Sequence, residues 1–330
     1  MNKSPLVSIL VTTYNQEAYI GKTLDSLLMQ ECPFAFEILV GEDCSTDQTR
    51  SICQEYAQNY PDIIRLFLNE HNKGLIRNYF DLLGQATGRY MADCGGDDCW
   101  LTKDKLSRQV DLMEKQPDLS MVYGNWQKYY QNNGTLETNM SNISQDWFKS
   151  GYFGIQAVKD YLNQQDFPRL VLGTSLFRTD WMKEQIEKYP ELFQGEQVVC
   201  EDLPMTLSML LKGPVYLMKD ELMVYRVLEK SSSHSDSLKD FSYPVFLQTM
   251  ELAFGLGLKV KDLEAYTQNA LPNLIFSAFE TDDKEWMQQI GKDLMRFGVH
   301  TSLKQKIQYT CTIKSWLHAL VFGAYKTFKK

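Results

Sequence analysis

Several things are scarce or missing in this chain of 330 residues. No apolar run approaches the roughly eighteen residues of a membrane-spanning helix. The seven cysteines are scattered and odd in number, without a C-x-x-C pair. That argues against a disulfide framework or a zinc site and for a reducing compartment. The start, "MNKSPLVSILVTTYN", runs straight into a strand-like segment and lacks the apolar core and cleavage site of a signal peptide. A cytoplasmic protein is the expectation. No G-x-G-x-x-G follows the first strand and no G-x-x-x-x-G-K-[ST] occurs, so dinucleotide and P-loop readings have little support. Acidic residues also stop at Asp293, while Arg296, Lys304, Lys306, Lys314, Lys326, Lys329 and Lys330 follow. Such a basic tail points to a partner of its own.

What is present is ordinary for a soluble domain: 44% apolar and 23% charged residues. The net charge of −8 argues against nucleic acid as a partner. The first half alternates short β-branched runs with amphipathic stretches. "VSILVTT", "EILVG", "DIIRLFLN", "RYMADC" and "LSMVYGNW" read as strands. "QEAYIGKTLDSLLMQ", "CSTDQTRSICQEYAQNY" with Ser45 as N-cap, "IRNYFDLLGQATG" closed by Gly88, and "TKDKLSRQVDLMEKQP" read as helices. Repeated βα units with near-continuous apolar strands predict an α/β fold with a mostly parallel sheet flanked by helices. After a polar stretch over 129–151, with "QNNG" as a turn, the pattern resumes. A helix is predicted near 155–162, a strand at "LVLGTSLF", helices from Thr179 and at "EDLPMTLSMLLK", and strands around 214–218 and 221–227. From about 240 the chain reads as helical.

In open parallel sheets, ligands sit beyond the carboxyl ends of the strands. Polar loops lie at four such ends: "TTYNQE", "GEDCSTD", "NEHNKGLIRN" and "CGGDDCW". A phosphate ligand without a glycine cradle needs another positive charge, and a divalent cation held by one or two carboxylates supplies it. Asp97 and Asp98 suit that role. The competing reading is an exposed acidic turn capping the next helix.

The segment "PLVSILVTTYNQEAYIGKTLDSLLMQ…FEILVGEDCSTDQT…GDDCW" resembles the nucleotide-sugar domain of family 2 glycosyltransferases. The resemblance is strong over 5–126, usable to about 235, and then fades. It implies a GT-A fold and a nucleoside-diphosphate sugar donor, with UDP favoured through Asp43. By position, Thr13, Tyr14 and Glu17 would border the nucleoside, Asp43 the uracil edge, and Arg77 the nucleotide. Asp97 would face the ribose or sugar, and Asp98 a divalent cation, Mn or Mg. Many relatives read E-G-D-D-Y-W where this chain has Gly95 and Cys99, a departure that puts metal affinity in question. The acid step before "LPMTLSML" would make Asp202 the general base, with Glu201 supporting it or binding acceptor. Helix capping competes for both acids. "YRVLEKSSSHS" resembles a family segment Y-R-x-H-x-x-S-x-S-H, in which Leu228 replaces the first histidine and His234 remains as a diphosphate or metal contact.

Together these imply an inverting, metal-dependent hexosyl- or N-acetylhexosaminyltransferase acting on a saccharide or lipid-linked acceptor in cell-surface polysaccharide or glycolipid synthesis. Two rivals are a sugar-nucleotide nucleotidyltransferase and a catalytically inactive nucleotide-sugar-binding module. The expected organisation is a GT-A domain over 1–238, divided at 126/127 into nucleotide-sugar and acceptor halves, and a helical region over 239–330. The basic tail is read either as an amphipathic helix on the inner face of the cytoplasmic membrane or as a docked helix with solvated lysines.

Overall fold

The computed structural model describes residues 4–138, 145–164, 170–195, 198–228 and 237–313. The chain divides into two compact units, Met1–Val158 with Asp166–Glu229, and Lys159–Gln165 with Lys230–Lys330.

In the first unit the β-branched runs form strands, and the intervening stretches, apolar at three- and four-residue spacing, form helices. In chain order these are β1 (Val7–Thr13), α1 (Ile20–Leu28), β2 (Phe36–Glu42), α2 (Thr49–Asn59), β3 (Ile64–Leu68), α3 (Leu75–Gln85) and β4 (Tyr90–Asp93). Then come β5 (Cys99–Trp100), α4 (Lys105–Lys115), β6 (Met121–Tyr130), β7 (Thr135–Glu137) and β8 (Trp147–Phe148). α5 (Ile155–Leu162) runs across the boundary between the units, and β9 (Leu176–Arg178), α6 (Thr179–Lys188), α7 (Pro190–Gln194), α8 (Asp202–Lys212) and β10 (Val215–Val227) complete the first. The sheet order is β3-β2-β1-β4-β9-β6-β10-β5, with β7 on β6 and β8 on β10. β3, β2, β1 and β4 are mutually parallel, and so are β6 and β10. β9 enters antiparallel between β4 and β6.

The core follows from the strand pattern. Val7, Ile9, Val11, Ile38 and Val40 are fully buried, as are Ile20, Leu24 and Leu27 on the inner face of α1. Each such side chain contributes roughly 1.5–3 kcal/mol through its removal from water.

Several local expectations are corrected. "LVLGTSLF" holds a short 3-10 turn over Leu172–Thr174, and only its end enters β9. The two strands expected at 214–227 are one strand, β10, with register shifts between Met218 and Met223. Ser45 is not an N-cap: α2 starts four residues later, the Thr49 amide donates to Asp47 at 2.9 Å, and the Ser45 hydroxyl accepts from the Asn15 amide at 3.0 Å. Gly88 does not close α3, which gives way to extended backbone at Ala86. A Cβ at Gly88 would lie 2.6 Å from the Ser8 backbone nitrogen, so close approach to β1 requires the glycine there.

In the second unit α9 (Ser242–Gly255), α10 (Glu264–Glu280), α11 (Lys284–Phe297) and α12 (Leu303–Ile313) are helical. α11 is bounded by an Asp283 side chain that accepts from the Trp286 amide and by Gly298 in the left-handed region. His234 and the tail from Lys314 onward, including Trp316, Leu317, Leu320, Val321 and Phe322, lie outside the described residues. No helix among the described residues is long and apolar enough to cross a membrane.

Candidate active site

The loop after β4 is pinned to the start of the fold. The Cys94 amide donates to Leu10 and the Gly96 amide to Thr12, each at 3.1 Å. The Thr23 hydroxyl of α1 shares its hydrogen between the carbonyls of Gly96 (2.9 Å) and Asp98 (2.7 Å). A Cβ at Gly96 would lie 2.3 Å from Gln16 Oε1 and 2.9 Å from Thr13, so only glycine lets these two loops meet. Thr13, buried at the end of β1, donates to Gln16 Oε1 at 2.8 Å. A Cβ at Gly95 would face the Asp97 and Asp98 carboxyl oxygens at 3.2 and 3.4 Å.

From the other side, β5 pairs with β10 and sets Arg226 against this loop. Its amide donates to Asp98 Oδ1 at 2.8 Å, its Nε to the Asp97 carbonyl at 2.9 Å, and its Nη1 to Gln131 at 2.9 Å. The guanidinium lies over the rings of Tyr19 and Tyr129, 4.9 and 5.4 Å from their centroids. Burial raises the Asp97 carboxyl above the usual carboxylate range, against its own amide, the Arg226 charge and Gln16. Burial and the Asp97 charge push Asp98 well up, against the Arg226 amide.

The second acid pair enters with α8. Glu201 stands at the position preceding the helix and Asp202 in its first turn, and the Glu201 side chain makes no capping hydrogen bond. Burial and the charges of Asp202 and Asp93 hold Glu201 well above its ordinary value, and burial raises Asp202 to about 6. Asp93, at the end of β4, is raised to about 7 by burial and then by the Asp202 charge. The Asp93 charge also reaches Asp98, so five carboxyls share one field at this end of the sheet. The Tyr79 hydroxyl of α3 is buried beside Asp93; their ionisations are linked, but the hydroxyl has no partner in hydrogen-bonding geometry. Lys105 is fully buried, with Nζ 3.9 Å from the Trp100 ring centroid, and donates to Gln109 at 2.9 Å and the Ser175 carbonyl at 3.2 Å. Burial lowers it to about 7 even though Cys94 and Asp93 favour its charge.

The remaining expected residues are placed as follows. Tyr14 is exposed and Glu17 is exposed, the latter accepting from the Gln48 amide at 2.7 Å and so bracing the first two loops. Asp43 is buried and accepts from Asn69 Nδ2 (2.8 Å), the Lys73 amide (2.9 Å) and the Gly74 amide (2.8 Å), which ties down the loop leading to α3. Arg77 is exposed on α3, without an ion pair among the described residues. The loop geometry therefore brings together Thr13, Asp97 and Asp98, and the shared field adds Glu201 and Asp202.

Sequence reading passed over Asp93, Tyr79, Lys105 and Arg226. Arg226 stood in the quoted "YRVLEK" and was legible there. Asp93 read as an internal residue of the strand "RYMADC", and Tyr79 and Lys105 as ordinary helix positions.

The model of the family "Glycosyl transferase family 2" matches residues 8–184, more than half of the chain. The chain belongs to glycosyl transferase family 2. Among relatives in the family's range, an uncharacterized protein of Mycobacterium tuberculosis is 39% identical over 117 residues, covering 36% of this chain and 34% of that one. The UDP-Glc:alpha-D-GlcNAc-diphosphoundecaprenol beta-1,3-glucosyltransferase WfgD of Escherichia coli is 35% identical over 122 residues, 37% of this chain and 46% of that one. The match thus spans about a third of the first relative's length and under half of the second's. Staphylococcus aureus TarS 1–349, solved in complex with UDP-GlcNAc, superposes with a TM-score of 0.70 at 19% identity, covering 97% of this chain and 91% of that one. That likeness shows the fold, the GT-A arrangement expected from the resemblance.

Proposed function

We propose that this family 2 member is an inverting glycosyltransferase. It would move a sugar from a nucleoside-diphosphate donor, UDP-linked in the first instance, to an acceptor hydroxyl in cell-surface polysaccharide or glycolipid synthesis. The observation that carries this reading is the convergence of two acid pairs, Asp97–Asp98 and Glu201–Asp202, on the carboxyl end of one sheet. The names of WfgD and of the TarS complex support a UDP-sugar donor, and WfgD supports a lipid-linked acceptor.

The residues fit a divalent cation of the Mn or Mg kind. Asp97 and Asp98 offer hard oxygen ligands, and each is raised in pKa by burial, Asp98 also by the Asp97 charge, in spite of Arg226. No group of three or more potential ligands stands ready among the described residues. A cation here would thus be held by one or two carboxylates and completed by the donor's own phosphates. When bound, it would supply Lewis-acid stabilisation of the departing diphosphate.

The chain's own groups do the rest. Asp202 takes the proton from the acceptor hydroxyl as it attacks the anomeric carbon, a role worth typically 10²–10⁴-fold. A base raised to about 6 is ionised at neutral pH yet still accepts a proton readily. Burial holds that proton affinity up, and the Asp202 charge in turn raises Glu201 and Asp93. Arg226 keeps the Asp97–Asp98 turn in place, and Thr13, Asp43 and the adjoining loops shape the nucleoside end. Base and leaving group on opposite faces of the sugar give inversion.

The test combines UDP release over a panel of nucleotide sugars with Mn²⁺ and UDP binding measured calorimetrically. Donor-dependent UDP release that Asp202→Asn abolishes while UDP affinity stays intact is the expected result. Absence of turnover with every donor, alongside tight UDP binding, would favour the inactive binding module.

A further inference from the structure

The second unit carries an apolar face that its own core does not use. Leu303 and Ile307, four residues apart on α12, are 75% and 48% exposed, and Met295 near the end of α11 is 74% exposed. In a helix, residues four apart lie one above the other. Lys304 and Lys306 fall about 80° to either side of the middle of that stripe by the 3.6-residue turn. Both lysines are exposed, and neither has an ion pair among the described residues. Beside the stripe lies a cavity of about 390 Å³ between α10, α11 and α12, lined by Ile275, Ile290, Leu294, Met295, Lys306 and Tyr309. Exposed apolar side chains flanked by cations, next to an apolar recess, make a surface suited to the boundary between lipid head groups and acyl chains.

We infer that the α11–α12 face docks on an anionic membrane surface, with Leu303, Ile307 and Met295 among the acyl chains and Lys304 and Lys306 at the head groups. Charge selects this occupant. α12 carries two cations, Lys304 and Lys306, and no acid, whereas Arg296 on α11 is paired with Glu251. A second copy seated face to face would bring the lysines of both copies together, as a two-fold contact requires. An anionic leaflet instead attracts them, each lysine strengthening partitioning roughly fivefold. The inference goes beyond the transfer reading and does not depend on it, although a lipid-linked acceptor would place the enzyme at such a surface.

The test is flotation of the intact protein, without sugar donor, on phosphatidylcholine vesicles with and without one quarter phosphatidylglycerol. Binding only to the anionic vesicles, weakened in high salt, is expected. Leu303→Ser/Ile307→Ser should lower the bound fraction at least tenfold and Lys304→Gln/Lys306→Gln by a similar factor, both with unchanged circular dichroism and Tm. Three results would overturn it: no flotation of the intact protein, full flotation of the serine pair, or a dimer in light scattering that the serine pair dissolves. Full flotation of the serine pair together with loss on removal of 314–330 would assign the contact to the tail instead of this face. UDP release is scored separately, so failure here leaves the transfer reading standing.

Discussion

Two groups of acids sit on the same sheet and are treated in opposite ways. Glu37, Glu42 and Asp43, on and just after β2, are saturated with donors. Glu37 accepts from Ser8, Arg65 and both the amide and hydroxyl of Thr87, and these donors outweigh burial and hold it below its ordinary value. Glu42 is paired with Arg50 and accepts from the Ser45 amide at 2.6 Å. At the other group, Asp93, Asp97, Asp98, Glu201 and Asp202 crowd together with few donors, and every one of them is raised. Saturated acids hold loops in place. Undersaturated ones are costly to the folded chain and stay only where something from outside, a cation or a substrate proton, completes them.

The sharpest way to break this contrast is at its two poles. Asp202→Asn should lower transfer by about 10²–10⁴-fold with UDP affinity within twofold of the parent. Equal losses in both quantities would make Asp202 a donor ligand. Glu37→Gln should do the reverse, costing about 1–3 kcal/mol of stability by urea titration with transfer per folded molecule unchanged. If Glu37→Gln left the urea midpoint alone, donor saturation would be no guide to structural acids.

A smaller effect concerns pH. The site carboxyls are raised, so the folded protein binds more protons than the unfolded one between about pH 4 and 7. Its metal-free stability therefore falls as pH rises through that window. Tm should be higher at pH 5.5 than at 7.5, and Asp98→Asn should raise Tm at pH 7.5 and flatten the slope. Glu37, being lowered, contributes stability that is lost only as the pH falls below its unfolded value near 4.5. An unchanged slope in Asp98→Asn would remove this cluster as its source. Activity should fall as pH drops through about 6, where Asp202 takes up a proton.

The smallest expected change is at Gly95. Its Cβ position faces both carboxyls of the Asp97–Asp98 turn, so Gly95→Glu adds a third acid there. Metal-free Tm should drop by a few degrees, about 1 kcal/mol, and Mn²⁺ should bind more tightly. Weaker Mn²⁺ binding in this variant would mean that the turn does not receive the cation.

Much of the fold was legible because it is local. β1 to β4 alternate with helices whose apolar spacing is plain, and the loops of the site follow directly after those strands. The acid pair at 201–202 was visible as a pair, but its burial and its shared field with Asp93, which distinguish it from an ordinary helix start, are not written in the local sequence. Asp93 carried no local signal, since its neighbours in chain are strand residues and its partners in space are remote. The split of the segment at 170–178 into a 3-10 turn and a three-residue strand was hidden for the same reason: apolar composition does not say how long an extended run stays extended.

By itself, then, the chain's order of residues determined the βα alternation, the polar loops at the strand ends and the acids available to them. Those follow from short-range sterics and from burial at a fixed period. Tertiary structure alone decided that β9 enters antiparallel beside β4, that α8 delivers Asp202 into the field of Asp93, and that Arg226 reaches back across 128 residues to Asp98. The physical reason is that contacts between distant segments depend on strand order and register, which the packing of the whole sheet sets and no local pattern encodes.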